Sequence, residues 1–178
     1  PRMKKLNKKG FTIVELVIVI AVIAILAGVL IPTFATVVDK ANKSSAEQQA
    51  RNFYTLLEAA TAAPTTYKTY TMSMQKTGLV VKNSSNDNLT PNELLNKLLG
   101  DDIAKYYGAN VSVSNVDSLK QSSPWTIEKV YFQPKGSKYY VIIDLVAGTV
   151  GEAVKIDDTN KMPASITLSK FTEANTGS

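Results

Sequence analysis

The chain has 178 residues, contains neither cysteine nor histidine, and carries a formal net charge of +5. The absence of cysteine excludes disulfide bonds and thiolate chemistry, and the absence of histidine removes the commonest general base and transition-metal ligand. Five basic residues among the first ten account for the whole charge excess, because 15 basic and 15 acidic residues remain after them. A dedicated nucleic-acid-binding domain, which would spread positive charge over its folded surface, is therefore not indicated.

The first ten residues form a basic segment that ends in Gly10. Pro1 and Arg2 precede Met3, which we take as the natural start, so these two residues are expected to be remnants of cloning. Lysines before an apolar segment hold that end of the segment in the cytoplasm by the positive-inside rule. We therefore interpret residues 1–10 as a basic leader peptide.

An apolar run over residues 11–34 follows the leader, and its only charge is Glu15. About 20 residues of helix suffice to cross a hydrocarbon core of about 30 Å. A carboxylate at the centre of such a helix costs about 2.5 to 3.5 kcal/mol, while each Ile, Val, Leu or Phe contributes about 0.3 to 0.6 kcal/mol towards insertion. The run holds 16 such apolar residues. It therefore predicts a transmembrane helix, in which Glu15 is tolerated but needs a partner.

Two ordinary explanations of this N-terminus fit less well. A secretory signal peptide has a shorter apolar region and a small-residue cleavage site after it, and Thr33-Phe34-Ala35 is a poor site of that kind. A plain signal anchor explains the lysines and the apolar run. It explains neither Glu15 nor the abrupt start at Gly10-Phe11.

The stretch KKGFTIVEL, residues 8–16, closely resembles the N-terminal motif of type IV pilins and the related pseudopilins. In that family, a membrane-embedded prepilin peptidase cuts after the glycine of a short basic leader and methylates the new N-terminal amine. The resemblance implies cleavage between Gly10 and Phe11, N-methylation of Phe11, and a role for Glu15 in assembly. The motif covers the leader and the apolar run, and it says little about the rest of the chain.

The resemblance also gives a reason for the carboxylate of Glu15. In filaments of the family, this Glu is thought to pair with the N-terminal amine of a neighbouring subunit. An unpaired charge inside lipid or a filament core is costly, and pairing removes much of that cost. Glu15 would then penalise any docking that leaves it unmatched. The alternative is a Glu that only reaches towards the headgroups at the helix start.

Gly28 and Pro32 lie four residues apart near the end of the apolar run. Proline removes one helical hydrogen bond, and glycine lowers the local helix propensity. In filaments of similar pilins the helix loosens just before this proline. Many pilins carry a glycine where this chain has Ala24, so the loosened stretch is expected to be shorter here. A simple kink at Pro32 is the alternative.

Residues 35–63 continue as an amphipathic helix. Apolar side chains recur at spacings of three and four, which places them on one helix face: Ala46, Ala50, Phe53, Leu57 and Ala60. One long helix is therefore predicted over residues 11–63. Its first half would be apolar all round, and its second half would be half-buried against a globular head.

The head, residues 64–178, begins with a polar, threonine-rich stretch that we interpret as an irregular connection with a short strand over residues 78–82. Residues 90–93, Thr-Pro-Asn-Glu, then have the capping-box pattern of a helix start. Four leucines mark this short second helix: Leu94, Leu95, Leu98 and Leu99.

After Gly108 the pattern changes to strands, separated by turn-rich breaks that suit an antiparallel meander. The predicted strands cover residues 111–116, 126–132, 138–145, 150–156 and 165–168. Periodicity alone indicates an α+β protein. The pilin resemblance implies the finer arrangement, a long N-terminal helix whose C-terminal half packs on an antiparallel sheet.

The sequence gives little sign of catalysis or cofactor binding. No P-loop, nucleophile elbow or zinc spacing is present, so we expect neither an enzyme nor a cofactor. The pairs Asp101-Asp102 and Asp157-Asp158 offer carboxylates for calcium, but such pairs more often cap helices or make turns. Tyr139 and Tyr140, adjacent on a strand, point to opposite faces, so one is expected in the core and the other at the surface or an interface.

The resemblance implies a bacterial structural subunit that inserts in the cytoplasmic membrane and then assembles as a homo-oligomeric helical filament on the cell surface. Its partners would be the prepilin peptidase, an assembly platform and a separate ATPase, and its roles surface motility, adhesion or biofilm formation. The lack of cysteine is similar to Gram-positive members of the family. A pseudopilin of a secretion or competence system is the nearest alternative. A signal-anchored binding domain or enzyme is the alternative from another class.

Overall fold

The computed structural model describes residues 10–67, 69–84, 91–114 and 124–168. The chain divides into two compact units, Pro1–Ala41 and Asn42–Ser178. A single α-helix, α1 (Ile13–Thr61), supplies residues to both units. The long helix predicted over residues 11–63 is therefore confirmed, and it is two residues shorter at each end.

In the first unit, the described side chains lie exposed along α1, apart from a half-buried Ala27. Ile and Val are modest helix formers in water, because their branched Cβ restricts rotamers. In lipid, however, a helix satisfies every backbone hydrogen bond within its own segment. A membrane therefore favours a helix here despite the β-branched composition.

In the second unit, the C-terminal turns of α1 bury one face. The buried residues are Ala46, Ala50, Phe53, Leu57 and Thr61. Ala60, which the periodicity places on the same helix face, is only half-buried, and Thr61 takes the core position. The exchange is tolerated because the Thr61 hydroxyl donates a 2.6 Å hydrogen bond to the carbonyl of Leu57, so no polar group is left unsatisfied.

A four-stranded antiparallel sheet follows α1. Its strands are β1 (Thr65–Tyr67), β2 (Tyr70–Gln75), β3 (Gly78–Asn83) and β5 (Trp125–Ile127), in spatial order β1-β2-β3-β5. The prediction of an irregular connection before residue 78 is therefore wrong, whereas the strand predicted over 78–82 is confirmed.

Alternation explains why this polar stretch forms a strand. Tyr70 and Met72 are fully buried, while Thr71 and Ser73, which alternate with them, are only half-buried. This period of two suits a sheet with one covered face. Gly78 follows a two-residue turn. Its φ is 115°, and a Cβ on this residue would collide with the carbonyl of Ile127. Only glycine therefore fits at this corner.

Helix α2 (Pro91–Leu99) follows, and a 3₁₀ helix (Gly100–Tyr106) continues from it. The predicted second helix is confirmed, and its four leucines are buried. The N-cap proposed at Thr90 lies outside the described residues.

A five-stranded antiparallel sheet completes the head. Its strands are β4 (Asn110–Val113), β6 (Lys129–Gln133), β7 (Tyr139–Asp144), β8 (Thr149–Lys155) and β9 (Ile166–Thr167), in spatial order β8-β7-β6-β4-β9. The meander is confirmed for β6-β7-β8. The single sheet that we expected is two sheets, and residues 115 and 116 of the first predicted strand lie outside the described residues.

The strand predicted over residues 126–132 is wrong, because the chain changes sheets in its middle. β5 belongs to the first sheet and β6 to the second, and Glu128 lies between them. The hydroxyl of Ser114 accepts hydrogen bonds from the amides of Glu128 and Lys129, at 3.0 and 3.3 Å. These bonds satisfy the backbone at the corner, where strand pairing is interrupted.

Aromatic rings join α1 to the second sheet. The ring of Phe53 stacks on that of Phe132 with centroids 4.6 Å apart, and the ring of Tyr106 meets both edge-on. Offset stacks and edge-to-face pairs are favourable arrangements of aromatic quadrupoles. Phe53 and Phe132 are fully buried, so this cluster lies at the centre of the core of the head.

The pair Tyr139 and Tyr140 departs from its prediction, since both side chains are buried. Tyr139 belongs to the core, as one of the two was expected to do. Tyr140 lies on the opposite face of β7, where its ring centroid is 6.4 Å from that of Tyr131. Tyr140 is therefore covered within the chain, and the expectation of a surface or interface tyrosine at this pair is wrong.

Polar side chains of α1 cover the edge of the second sheet at β8. The Glu47 carboxylate accepts a 3.0 Å hydrogen bond from the amide of Ala153, and the Lys43 ammonium lies 2.9 Å from the Glu152 carboxylate. An unpaired strand edge is a template for unwanted pairing with another chain. These contacts therefore block part of that edge.

The aromatic cluster predicts a large effect of truncating Phe53. We expect Phe53→Ala to lower the free energy of unfolding of the head by about 3 to 5 kcal/mol, because it removes a buried ring and leaves a cavity. Denaturant unfolding of the full chain in detergent micelles measures this. Asn52→Ala, at the exposed neighbouring position, is the control, with an expected change within about 0.5 kcal/mol. Equal effects of the two substitutions would contradict this assignment of the core.

The covered strand edge predicts a local effect of Glu47. We expect Glu47→Ala to speed hydrogen exchange at the Ala153 amide by about fivefold, since a net hydrogen bond is worth about 1 kcal/mol. Glu47→Gln keeps an acceptor oxygen and should preserve the protection. Unchanged exchange at Ala153 in Glu47→Ala would show that the contact contributes nothing.

Candidate functional site at the start of the long helix

The backbone changes from non-helical to helical within three residues. Gly10 and Phe11 are non-helical and exposed, and Phe11 is 89% exposed. The amide of Leu16 donates to the carbonyl of Thr12 at 3.2 Å, and α1 begins at Ile13. The peptide bond that the resemblance marks for cleavage, between Gly10 and Phe11, therefore precedes the helix.

Thr12 and Glu15 form a reciprocal capping box at this helix start. The Glu15 carboxylate accepts hydrogen bonds from the amide and the hydroxyl of Thr12, at 2.8 and 2.7 Å. The amide of Glu15 donates to the Thr12 hydroxyl at 3.3 Å. This is the arrangement expected of a Thr N-cap with Glu at the third helical position.

Our reading of the sequence missed Thr12 as a member of this site. The signal was present, because Thr-x-x-Glu before an apolar run is the same pattern that predicted the start of the second helix. Because Glu15 was interpreted only as a charge in an apolar segment, Thr12 was overlooked as its local hydrogen-bond partner.

The carboxylate of Glu15 is exposed, and its partner within the described chain is Thr12. Among the described residues, no cationic group forms an ion pair with it. The hydroxyl and amide satisfy part of the hydrogen-bonding capacity of the carboxylate but leave its charge uncompensated. The site can therefore take a cation without first breaking an ion pair with a described residue.

The structure places Gly28 and Pro32 in α1, well away from Glu15. With a rise of about 1.5 Å per residue, the 17 steps from Glu15 to Pro32 span about 26 Å. The helix passes Pro32 without a break, although proline lacks the amide that would bond to the carbonyl of Gly28. Close by, the Thr33 hydroxyl donates to the carbonyls of Leu30 and Val29, at 2.9 and 3.1 Å.

The two acidic pairs make local contacts within the described chain. Asp157 accepts hydrogen bonds from the amides of Thr159 and Asn160 and from the Thr159 hydroxyl, between 2.6 and 2.8 Å. Asp102 lies 3.4 Å from the ammonium of Lys105. Within the described ranges, no group of three or more acidic side chains is placed to hold a metal ion. Asp101 and Asp102 lie in the 3₁₀ helix. Asp157 and Asp158 lie in a turn, as their sequence indicated.

Over the described residues, one helix is long and apolar enough to cross a membrane, and it is α1. Its apolar stretch, residues 13–34, contains no charge other than Glu15. By length and composition, this stretch meets the requirements of a transmembrane span.

Comparison with known proteins matches the same region. The family described as the prokaryotic N-terminal methylation motif matches residues 5–31. The type IV wide pilus major component PilA4 of Thermus thermophilus is 61% identical over 36 residues, which are 20% of this chain and 28% of that protein. The chain thus matches little more than a quarter of the relative's length. No solved structure matches the chain.

The turn at Asp157 predicts a measurable titration. Hydrogen bonds from Thr159 and Asn160 to the carboxylate lower the pKa of Asp157 from 3.8 to about 2. Because the folded pKa is depressed, the stabilisation of this turn is complete above the ordinary pKa and is lost as the pH falls through about 2. Carboxyl-carbon NMR titration of Asp157 measures the value. Thr159→Val should raise it, and a wild-type pKa near 3.8 would contradict the turn.

Proposed function

We propose, on the premise that the N-terminal segment of this chain is that of a type IV pilin, that the chain is the structural subunit of a type IV pilus. The observation that carries the proposal is the apolar half of α1. It is exposed on every side, contains one charge, and continues as the same helix into the core of the head. An apolar surface of this extent requires a cover. Lipid supplies that cover before assembly, and the helices of other copies supply it in the filament.

Processing is the first step of the proposed function. A prepilin peptidase cuts between Gly10 and Phe11 and methylates the amine of Phe11. The cut removes the leader and, with it, the residues that account for the entire net charge of the chain. Charges on the cytoplasmic side oppose passage of a helix end through the bilayer. Processing therefore changes an anchored helix end into one that can leave the membrane.

Pairing of Glu15 is the second step. In the filament, Glu15 pairs with the N-terminal amine of a neighbouring copy, which supplies the missing cation. Inside a core of apolar helices, an unmatched carboxylate would be strongly destabilising, so the pair selects one axial register. The exposed position of Glu15 at the start of the helix supports this role. Further along, Gly28 and Pro32 mark the place where we propose that the helix loosens in the filament.

The proposed partners are copies of this chain, the prepilin peptidase, an assembly platform and its ATPase. The chain would lie in the cytoplasmic membrane before assembly and on the cell surface afterwards, where it would serve motility, adhesion or biofilm formation. The Thermus relative is a major pilus component, which favours a major subunit. The chain would be a structural protein and not an enzyme.

A pseudopilin remains the nearest alternative, because the matched family region ends at residue 31 and pseudopilins share it. The two differ in where the processed chain accumulates. A major pilin forms long filaments that can be sheared from the cells, whereas a pseudopilin stays with the membrane fraction. A signal-anchored domain of another class would keep its leader.

Removing the charge of Glu15 tests the assembly step. We expect Glu15→Gln to insert in the membrane normally but to lower the yield of sheared filaments by at least about tenfold, since the glutamine cannot pair with an amine as an ion. Immunoblots of the membrane and sheared fractions measure both quantities. Glu58→Gln, at an exposed position of α1 within the head, is the matched control and should assemble normally. A wild-type yield from Glu15→Gln would contradict the pairing.

A further inference from the structure

We propose that Thr12 is a positioning residue for processing. With Glu15 it forms a cap that keeps the Gly10–Phe11 peptide bond outside the helix, where a peptidase can bind it. This inference rests on the proposed function, because it concerns how the leader is removed. It assigns to the capping box a role separate from the charge of Glu15.

The cap fixes the boundary of the helix through the backbone of Thr12. If α1 extended towards the leader, the amide of Thr12 would have to donate to a carbonyl in the preceding turn. That amide instead donates to the Glu15 carboxylate at 2.8 Å, which leaves it unavailable for such a bond. The Thr12 hydroxyl joins the same carboxylate at 2.7 Å and accepts from the Glu15 amide. The helix therefore begins at Ile13 and does not extend towards the leader.

As a consequence, the peptide bond between Gly10 and Phe11 is accessible and precedes the helix. Gly10 and Phe11 are exposed and non-helical, and apart from Gly10 and its two chain neighbours no atom of the described residues lies within 4 Å of the place where a Cβ on Gly10 would be. A protein that binds an extended peptide does so by hydrogen bonds to its free main-chain groups. A helical segment has already used those groups within itself. A peptidase can therefore bind this bond only while the helix stays short of it.

Hydrolysis of this bond balances with water as the co-reactant. Water adds to the carbonyl carbon of Gly10, and the bond from that carbon to the nitrogen of Phe11 breaks. The nitrogen takes a proton and becomes the amine of Phe11, while Gly10 is left as a carboxylate. The cap lies on the product side of the cut, so it remains with the subunit.

The box and the charge can be separated by substitution. Thr12→Val keeps the branched shape of the side chain but loses the hydroxyl, so it breaks the box and leaves the charge of Glu15 intact. Thr12→Ser keeps a capping hydroxyl. Glu15→Gln keeps a side-chain oxygen that can complete a capping box, but it loses the charge. Thr36→Val is the matched control, because Thr36 lies in the same helix and, among the described residues, its hydroxyl bonds only to the carbonyl of Thr33.

The experiment measures initial cleavage rates of the full chain in lipid vesicles that contain the prepilin peptidase of the producing cells. Loss of a Thr cap shifts a helix equilibrium by about fivefold, so Thr12→Val should be cleaved more slowly than wild type by more than about twofold and at most about fivefold. Thr12→Ser and Glu15→Gln should be cleaved within about twofold of wild type, and Thr36→Val at the wild-type rate. In micelles, the Cα chemical shifts of Gly10 and Phe11 should move towards helical values in Thr12→Val alone.

Each outcome decides one of the two claims. Wild-type cleavage of Thr12→Val would overturn the positioning role and leave the proposed function standing. Slow cleavage of Thr12→Ser would overturn it as well, because the hydroxyl would then not be the cause. Cleavage of Glu15→Gln as slow as that of Thr12→Val would overturn the claim that the box acts separately from the charge, because Glu15→Gln keeps an oxygen for the box and loses only the charge. Failure of the wild-type chain to be cleaved at all would instead contradict the proposed function.

Discussion

The apolar half of α1 presents hydrophobic side chains on every face of a helix, and the rest of the chain depends on how that surface is covered. A helix satisfies its own backbone in lipid, so insertion costs little beyond the placement of Glu15. Under the proposed function the leader is removed, and the same surface would then pack in a bundle of identical helices. The carboxylate would limit which bundles are stable, because any register without a matching cation leaves a charge in an apolar core.

The second half of α1 gives the same helix a different environment. Phe53 stacks on Phe132 and meets Tyr106, so the helix belongs to the core of the head and is not attached to it by a linker. Lys43 and Glu47 hold the neighbouring edge of the second sheet. One continuous helix therefore supplies residues to both units.

Much of this architecture could be predicted from the sequence, because strong periodicity and composition determine it. The long helix, the leucines of α2 and the β6-β7-β8 meander fall in this class. The strands before residue 78 were missed because threonines concealed a short alternation of Tyr70 and Met72. The change of sheets at Glu128 depends on a distant hydroxyl, that of Ser114, which no local pattern reveals. The capping box at Thr12 and Glu15 could have been predicted from the Thr-x-x-Glu pattern. It was missed because Glu15 was interpreted only as the partner of an amine in a neighbouring chain.

The mass of the N-terminal peptide tests the central claim most directly. Filaments sheared from the producing cells, digested and analysed by mass spectrometry, should yield a peptide that begins at N-methylated Phe11. The same processed peptide confined to the membrane fraction would contradict a pilus subunit and indicate a pseudopilin. A peptide that retains Gly10 and the basic leader would contradict the whole account of processing and assembly.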